Sequence, residues 1–360
     1  MKILVTIEPG YKFNNRFNKI INGIIYSCKE HRYTFSMLDF PKIEPAEFSN
    51  QPIIVIAAST SWVSCTVQLL VDNNYHPIIV GFDFLSSSST FITQNHYLDA
   101  YAQTYLHASN DASVAYIGFN PLSYCDTSKY SGLQDALHHL HIPLLSEDIF
   151  PLTTATECVN SFLQSTKKYD TIFCSNDTIA MILISKLKDI EKYKIVSFGD
   201  LYIKKYCSSH FFSLSPNYFD MGKISVSIFT TIHAHPNISN SSVFVRSQFD
   251  TENDIPMPNV FQQSFSRNTT LFSLKQHAVS DENSDILDKL SDTIERCDDT
   301  DIKMLQCFIN NMSVEKTADV LYMSTNSVKR RFKKILTNST IKNKKHFLEI
   351  VSRFNLDFNK

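Results

Sequence analysis

The first 250 residues alternate short apolar segments with longer amphipathic segments of helical periodicity. The apolar segments are rich in β-branched residues, and several are apolar throughout, which is typical of strands buried on both faces. The predicted strands are Ile3–Ile7, Ile53–Ala57, Ile78–Val80, Val114–Ile117, Thr171–Cys174 and Ile195–Phe198. The predicted helices are Asn15–Glu30, Val63–Asn73, Tyr97–His107, Lys129–Leu140, Ala155–Thr166 and Thr178–Leu187. Strict alternation of strand and helix predicts right-handed βαβ units and a parallel, doubly wound α/β sheet.

Polar or glycine-containing turns follow the predicted strands. Examples are Ser175-Asn176-Asp177 and Gly199-Asp200. In open α/β sheets, ligands bind at the carboxyl ends of the strands. We therefore expect a small-molecule site formed by these turns.

Charge is distributed unevenly along the chain. The 360 residues include 34 Lys and Arg against 36 Asp and Glu, for a net charge of −2. Residues 297–360 alone hold 12 basic and 7 acidic residues, whereas residues 1–296 carry a net charge of −7. Between Ser324 and Lys345 there are eight basic residues and no acidic one. This asymmetry indicates a nucleic-acid or membrane contact at the basic end.

Several classes of protein are disfavoured by the sequence. Its apolar runs are shorter than the ~18 residues of a membrane helix, and the apolar stretch at the N-terminus is too short for a secretory signal. We therefore expect a cytoplasmic protein with no membrane partner. The eight cysteines include no Cys-x-x-Cys pair, which indicates reduced thiols rather than disulfides or a metal site. The sequence contains neither GxGxxG nor a P-loop motif, and we expect no cofactor.

Residues 251–296 differ in character from the preceding segment. They are richer in acidic residues, Asn and Ser, which predicts a linker to about Asn283 and then a helix from Ser284 to Glu295. One face of that helix is apolar, which indicates either packing on its own domain or a dimer seam. The apolar residues are Ile286, Leu287, Leu290 and Ile294.

The remaining residues are predicted to form four short helices. They are Thr300–Asn310, Ser313–Leu321, Thr325–Leu336 and Lys342–Phe354. Ser313 and Ser324 are placed to cap the second and third helices. Only Tyr322-Met323-Ser324 separates those two helices, which is typical of a helix-turn-helix.

The third of these helices has an apolar face and a basic body. Val328, Phe332 and Ile335 are spaced to form one buried face. A polar helix start followed by Lys and Arg suits entry into the DNA major groove, where the first residues reach base edges and the cations neutralise phosphates. The alternative is a basic face that is merely solvated. The candidate DNA-binding residues are Ser324, Thr325, Asn326, Ser327, Lys329, Arg330, Lys333 and Lys334.

The segment Ile302–Leu336 resembles the LuxR-type helix-turn-helix, whose third helix reads roughly S-x-x-T-V-K-x-H-x-x-x-I. The equivalent here is Ser324-Thr-Asn-Ser-Val-Lys-Arg-Arg-Phe-Lys-Lys-Ile335, in which Ser327 replaces the usual Thr and Arg331 the usual His. The resemblance implies a small all-α domain at 297–360 that binds duplex DNA.

Several segments of residues 1–250 resemble the effector domain of LacI/GalR-type regulators, which have a periplasmic-binding-protein-like fold. The matching strings are Val114-Ala-Tyr-Ile-Gly-Phe, Lys129-Tyr-Ser-Gly-Leu-Gln-Asp-Ala-Leu, Phe173-Cys-Ser-Asn-Asp-Thr-Ile-Ala, Ile195-Val-Ser-Phe-Gly-Asp and Phe219-Asp-Met-Gly. The resemblance implies two α/β subdomains with an effector in the cleft, so we expect an effector domain at 1–250, a linker and connecting helix at 251–296, and the helix-turn-helix domain at 297–360. In that family the DNA-binding part precedes the effector domain, so the family's hinge-helix coupling does not carry over.

The resemblance also implies ligand-binding residues in the second half of the effector domain. Lys129 stands where the family's sugar-binding Arg lies, although Lys lacks the planar fork of Arg. Asn176 and Asp200 match positions that hydrogen-bond the effector. Each has a structural alternative, because Lys129 also suits a solvated helix start, Asn176 and Asp177 a helix cap, and Asp200 a turn.

Four further residues complete the candidate ligand site. Asp83 follows a strand at a turn that should face the cleft. Phe13, Trp62 and Tyr124 offer flat apolar faces for a sugar ring. Trp62, the only Trp, is equally suited to the core.

These features together predict a cytoplasmic transcription regulator that is not an enzyme. A sugar-like small molecule in the cleft would control binding of duplex DNA, with the protein acting as a homodimer. One alternative is a carbohydrate-active enzyme with a basic tail, and another is a regulator whose sensor-like domain binds no small molecule and serves protein contacts.

Overall fold

A computed structural model describes residues 1–9, 15–38, 51–57, 59–82, 89–109, 111–207, 210–247, 281–337 and 341–358. The strands in chain order are β1 (Lys2–Ile7), β2 (Thr34–Leu38), β3 (Pro52–Ile56), β4 (His76–Val80), β5 (Thr90–Gln94), β6 (Val114–Phe119), β7 (Ile149–Pro151), β8 (Thr171–Cys174), β9 (Lys194–Phe198), β10 (Phe211–Leu214) and β11 (Ser242–Val245). The helices are α1 (Asn15–Glu30), α2 (Thr60–Asp72), α3 (His96–His107), α4 (Tyr124–His139), α5 (Ala155–Leu163), α6 (Asp177–Lys186), α7 (Tyr218–Ala234), α8 (Glu282–Glu295), α9 (Asp299–Ile309), α10 (Val314–Val320), α11 (Thr325–Thr337) and α12 (Lys344–Arg353).

The chain divides into two compact units. One comprises Met1–Asp99 and Ser215–Gln276, and the other Ala100–Leu214 and His277–Lys360. The first contains a sheet of order β11-β5-β4-β3-β1-β2, and the second a sheet of order β10-β9-β8-β6-β7. The strand pairs in both sheets are parallel, which confirms the predicted α/β class with doubly wound sheets.

The core of the first unit lies on both faces of its sheet. β1 is buried from Ile3 onward, and β3 is buried throughout because helices cover both faces. Two of those helices, α1 and α7, cross where each carries a glycine. A Cβ on Gly23 would collide with the Phe219 carbonyl, and one on Gly222 with the Ile20 carbonyl. The two glycines therefore permit backbone contact between the helices.

The second unit contains both the second sheet and the C-terminal helices. The apolar face of α8 is buried in the same hydrophobic cluster as residues of β6, β8 and α6. Its four apolar residues are at most 7% exposed, so this face packs on its own unit and is not left exposed for a dimer contact. The linker predicted before this helix lies almost entirely outside the described residues.

The helices α9 to α12 form a small bundle with the predicted caps. The Ser313 hydroxyl accepts the Lys316 N–H at 3.2 Å, and Ser324 accepts the Ser327 N–H at 3.1 Å. Phe308 of α9 meets Phe332 of α11 edge to face, with ring centroids 5.0 Å apart. The described helices include none long and apolar enough to cross a membrane.

Candidate functional site

The carboxyl edge of the second sheet brings together four of the predicted ligand residues. At this edge the strands β6, β8 and β9 end, and α4, α6 and the segment after β9 begin. Tyr124 opens α4, Asn176 immediately follows β8, and Asp200 follows β9. Lys129 joins them from the second turn of α4 by reaching the carbonyl of Ser175. The edge therefore holds amide, carboxylate, ammonium and aromatic groups within one unit.

Lys129 is buried rather than solvated. Its residue is 7% exposed, and its Nζ donates to the Ser175 carbonyl oxygen at 2.8 Å. The Asp126 carboxylate lies 3.8 Å from Nζ, and the Phe198 ring lies 5.4 Å from it. A buried ammonium needs this compensation, because desolvation of an unpaired charge is costly.

Asn176 adopts the capping role that was one of its two predicted roles. Its Oδ1 accepts the Ile179 N–H at 3.0 Å and so caps α6. The next residue, Asp177, is 1% exposed and does not cap through its side chain in this way. Its carboxylate instead accepts hydrogen bonds from the hydroxyls of Ser197 and Ser213.

Asp177 also fixes the segment that carries Asp200. Its Oδ2 accepts the Leu201 N–H at 3.1 Å and lies 3.8 Å from Lys204 Nζ. A Cβ on Gly199 would lie 2.6 Å from the Asp177 Cγ, so glycine is needed for this close approach. Asp200 is thus held between two anchored neighbours, and it is partly exposed. The sequence predicts Asp177 only as a helix cap, because the serines that it binds are 20 and 36 residues away.

The first unit carries the remaining predicted residues and a polar cluster that was not predicted. Trp62 lies in the first turn of α2, partly exposed and packed against the core of that unit. Phe13 and Asp83 lie outside the described residues. The unpredicted cluster lies at the carboxyl ends of β1 and β3 and consists of Glu8, Arg16 and Ser59.

In this cluster a buried carboxylate is fully engaged. Glu8 is 6% exposed and accepts the N–H of Ser59 at 2.9 Å and its hydroxyl at 2.5 Å. Arg16 donates to the Ala57 carbonyl at 2.9 Å, with its guanidinium 5.6 Å from the Tyr218 ring centroid. One sequence signal could have found Glu8, because it is a carboxylate directly after a strand buried on both faces. Within the described residues, no group of three or more His, Cys, Asp or Glu is arranged to hold a metal ion.

The helix α11 presents its basic residues to solvent. Val328 and Ile335 are buried, and Lys329, Arg330, Lys333 and Lys334 are exposed. Ser324 and Asn326 are exposed as well, whereas Thr325 and Ser327 are partly buried.

Arg331 differs from the other cations of α11, because it is engaged within the bundle. Its Nη1 lies 2.9 Å from an Asp298 carboxylate oxygen and 2.8 Å from one of Asp301. Asp298 caps α9, and the hydrogen bond from Arg331 lowers the pKa of its carboxyl group. The pair of carboxylates fastens α11 to the start of α9.

Comparison with known proteins shows similarity at the level of the fold. No protein-family model matches the chain, and no curated protein matches its sequence. The transcription regulator CcpA of Lactococcus lactis is 16% identical with a TM-score of 0.54, over 69% of this chain and 97% of its own. A LacI family regulator from Enterococcus faecium with bound ribose is 15% identical with a TM-score of 0.52, over 70% and 97%. The regulator CelR in complex with cellobiose is 10% identical with a TM-score of 0.55, over 69% and 82%.

The two α/β units have the periplasmic-binding-protein-like fold. More narrowly, this is the fold found in LacI-family transcription regulators, as the sequence resemblance implied.

Proposed function

We propose that this protein is a DNA-binding transcription regulator controlled by a small molecule. One observation carries the proposal. A chain with the fold of LacI-family regulators also carries, in its second unit, a capped four-helix bundle whose α11 exposes four cations. The protein is not an enzyme in this account, in keeping with neighbours that are transcription regulators.

The exposed surface of α11 supports DNA binding. Asn326, Arg330 and Lys333 follow one another at spacings of four and three, so they share the face opposite the buried residues. Asn and Arg are the side chains that read adenine and guanine edges in the major groove. Lys329 and Lys334 flank this face, where they suit contact with phosphates. The exposed Ser324 and the partly buried Thr325 and Ser327 lie at the helix start, nearest the bases in this geometry.

The effector in this account is a sugar or sugar derivative. The second unit offers Lys129, Asn176, Asp200 and the ring of Tyr124 at one sheet edge, a mixture of polar groups and a flat ring that suits a polyol. Trp62, Phe13 and Asp83 are proposed as further ligand contacts. Two of the structural neighbours were solved with sugars, ribose in one and cellobiose in the other.

The DNA-binding part of the proposal is tested by selection and titration. Duplexes enriched by the 360-residue chain from a random pool are labelled, and binding is followed by fluorescence anisotropy at several salt concentrations. We expect the enriched duplex to bind at least 100-fold more tightly than a scrambled one, with a steep salt dependence. Equal binding of both duplexes would refute the proposed function.

The variant Lys329→Ala tests the role of the flanking cations. Loss of one phosphate contact should lower the slope of log Kd against log salt by about one, with a similar loss of affinity on every sequence. The control is Lys192→Ala, which removes an exposed lysine remote in sequence from α11 that pairs with Asp189. An unchanged slope for Lys329→Ala would exclude Lys329 as a phosphate contact.

The protein is proposed to bind its operator as a homodimer. Regulators with a helix-turn-helix recognise two half-sites with two copies, so the enriched duplexes should contain an inverted repeat. The stoichiometry of the complex, measured by sedimentation, should be two chains per duplex.

A further inference from the structure

The helix α8 attaches the C-terminal bundle directly to the elements around the second sheet. It contacts α5, α6 and the 3-10 helix Tyr202–Tyr206. At its start, Asp281 accepts the Thr156 N–H of α5 at 2.6 Å, and Asn283 donates to the Thr156 hydroxyl at 2.9 Å. Leu287 and Ile294 are fully buried in the shared core. The helix is therefore a packed part of the second unit, whereas the sequence predicts it within a linker and connecting segment.

The last described residues make a second attachment to the same 3-10 helix. The ring of Phe358 is fully buried and stacks on Tyr206, with centroids 4.1 Å apart. The Asp357 N–H donates to the Tyr206 carbonyl at 2.8 Å. On the other side, Gln306 of α9 donates to the Phe358 carbonyl at 2.6 Å. Residues 357–358 thus tie the 3-10 helix to α9 of the bundle.

The residues that precede this 3-10 helix belong to the candidate ligand site. Leu201 is held by Asp177, and its neighbour Tyr202 donates its N–H to the Ser291 hydroxyl of α8 at 2.7 Å. Ser291 is 3% exposed, so this hydrogen bond is shielded from water. Only one residue separates Tyr202 from Asp200.

We propose that residues 199–206, here called the relay segment, transmit the state of the ligand site to the C-terminal bundle. The proposal rests on the proposed function, since it assigns the regulation of that same site. A ligand that binds Asp200 displaces the relay segment, which is joined to α8 at Ser291 and to residues 357–358 at Tyr206. Movement of the segment therefore moves α8 to α12, because both attachments are buried contacts that join the ligand site directly to these helices.

The test perturbs the relay segment and follows hydrogen exchange in the full chain. Gly199→Ala pushes the segment away from Asp177, because the added Cβ would lie 2.6 Å from the Asp177 Cγ. We expect amides of α8 and α9–α12 to exchange at least threefold faster than in the wild type, with a smaller change in α4. Ser291→Ala removes the hydrogen bond between α8 and the relay segment and should speed exchange in the same helices. This second variant keeps the test decisive if Gly199→Ala fails to fold.

The matched control separates transmission from general instability. Leu137→Ala removes a buried side chain of α4 from the separate hydrophobic cluster that includes Tyr116 and Phe173. It should speed exchange in α4 at least as much as in α9–α12. If Leu137→Ala reproduces the pattern of Gly199→Ala, or if neither relay variant speeds exchange in α9–α12, the proposal is wrong.

A DNA measurement connects the relay segment to regulation. Gly199→Ala should change the Kd for the enriched duplex at least threefold while the salt slope stays that of the wild type, because the phosphate contacts are intact. An unchanged Kd would overturn the regulatory role. Failure of the wild type to bind any duplex would instead refute the proposed function, and the exchange experiment, which needs neither DNA nor sugar, would still decide whether the segment and the bundle are coupled.

Discussion

At the scale of single residues, Arg331 shows how a cation in a basic helix acquires a structural role. It lies among residues whose sequence suggests DNA contacts, yet its guanidinium meets the carboxylates of Asp298 and Asp301 at the start of α9. Charge-assisted hydrogen bonds of this kind are stronger than neutral ones. We therefore expect Arg331 to position α11 rather than to neutralise phosphate.

Arg331→Ala should lower stability and leave the electrostatics of DNA binding intact. Asp301 is 6% exposed and would lose its cationic partner. We therefore expect the free energy of unfolding, measured by urea denaturation, to fall by about 1–2 kcal/mol. DNA affinity should fall while the salt slope is unchanged, in contrast to Lys329→Ala. A slope reduced by about one would show that Arg331 meets phosphate after all.

His107 gives the second unit a defined dependence on pH. Burial, and then the nearby charge of Lys194, lower the pKa of His107 to about 4. The unfolded chain binds a proton near pH 6.5, so it gains protons relative to the folded state as the pH falls. Stability is therefore full above pH 6.5 and is lost progressively as the pH falls towards 4.

Between pH 7 and 4.5, titration of His107 should lower the free energy of unfolding by about 1–2 kcal/mol. The partial exposure of the ring keeps this loss below the value that the full pKa shift would give. His107→Gln removes the titrating ring that packs on Phe212, with centroids 4.4 Å apart. Urea midpoints of the variant should vary less across this pH range than those of the wild type. The same pH dependence in both proteins would contradict the assignment.

At the scale of elements, the sequence predicts the strands that are apolar throughout. It does not predict the strands that combine apolar and polar residues. The buried strands β1, β3, β4, β6, β8 and β9 were predicted within a few residues of their observed bounds. The edge strands β2, β10 and β11 are partly exposed, and β7 has only three residues, so neither their length nor their pattern separates them from loops. β5 was missed because Thr and Gln occupy buried positions in it. Helix α4 begins five residues earlier than predicted, since Ser123 caps it ahead of the polar residues at its start.

The helices α1 and α7 make a contact that depends on glycine. Gly222→Ala should destabilise the first unit by about 2–3 kcal/mol, because the added Cβ would collide with the Ile20 carbonyl and the helices must separate. Ser227→Ala, at an exposed position of the same helix, is the control and should change stability by less than about 0.5 kcal/mol. Chemical denaturation measures both, and equal effects would show that the helix contact is not tight.

At the scale of the whole molecule, the candidate ligand site could be predicted only in part from the sequence. Lys129, Asn176 and Asp200 follow or approach strand ends that the sequence makes visible, so their grouping at one edge was predictable. The interactions that hold them were not, because Lys129 reaches Ser175 across 46 residues and Asp177 reaches Ser213 across 36. The contact of Phe358 with Tyr206 could not be predicted either, since it joins residues more than 150 positions apart.

Asp200→Ala should separate sensing from DNA binding. The side chain is partly exposed at the candidate ligand site, so its removal should abolish the response to sugar with little change in the Kd for DNA alone. Anisotropy with and without sugar measures both quantities. A full response in the variant would exclude Asp200 as a ligand contact.

The proposed function requires that one chain both sense a small molecule and bind DNA. Its most direct test is the Kd of the wild-type protein for the enriched duplex, measured with and without each sugar of a panel that includes ribose and cellobiose. We expect at least one sugar to change the Kd by about 5- to 150-fold, the range of typical allosteric coupling. A Kd that no sugar alters, including those that raise the Tm of the protein, would contradict it.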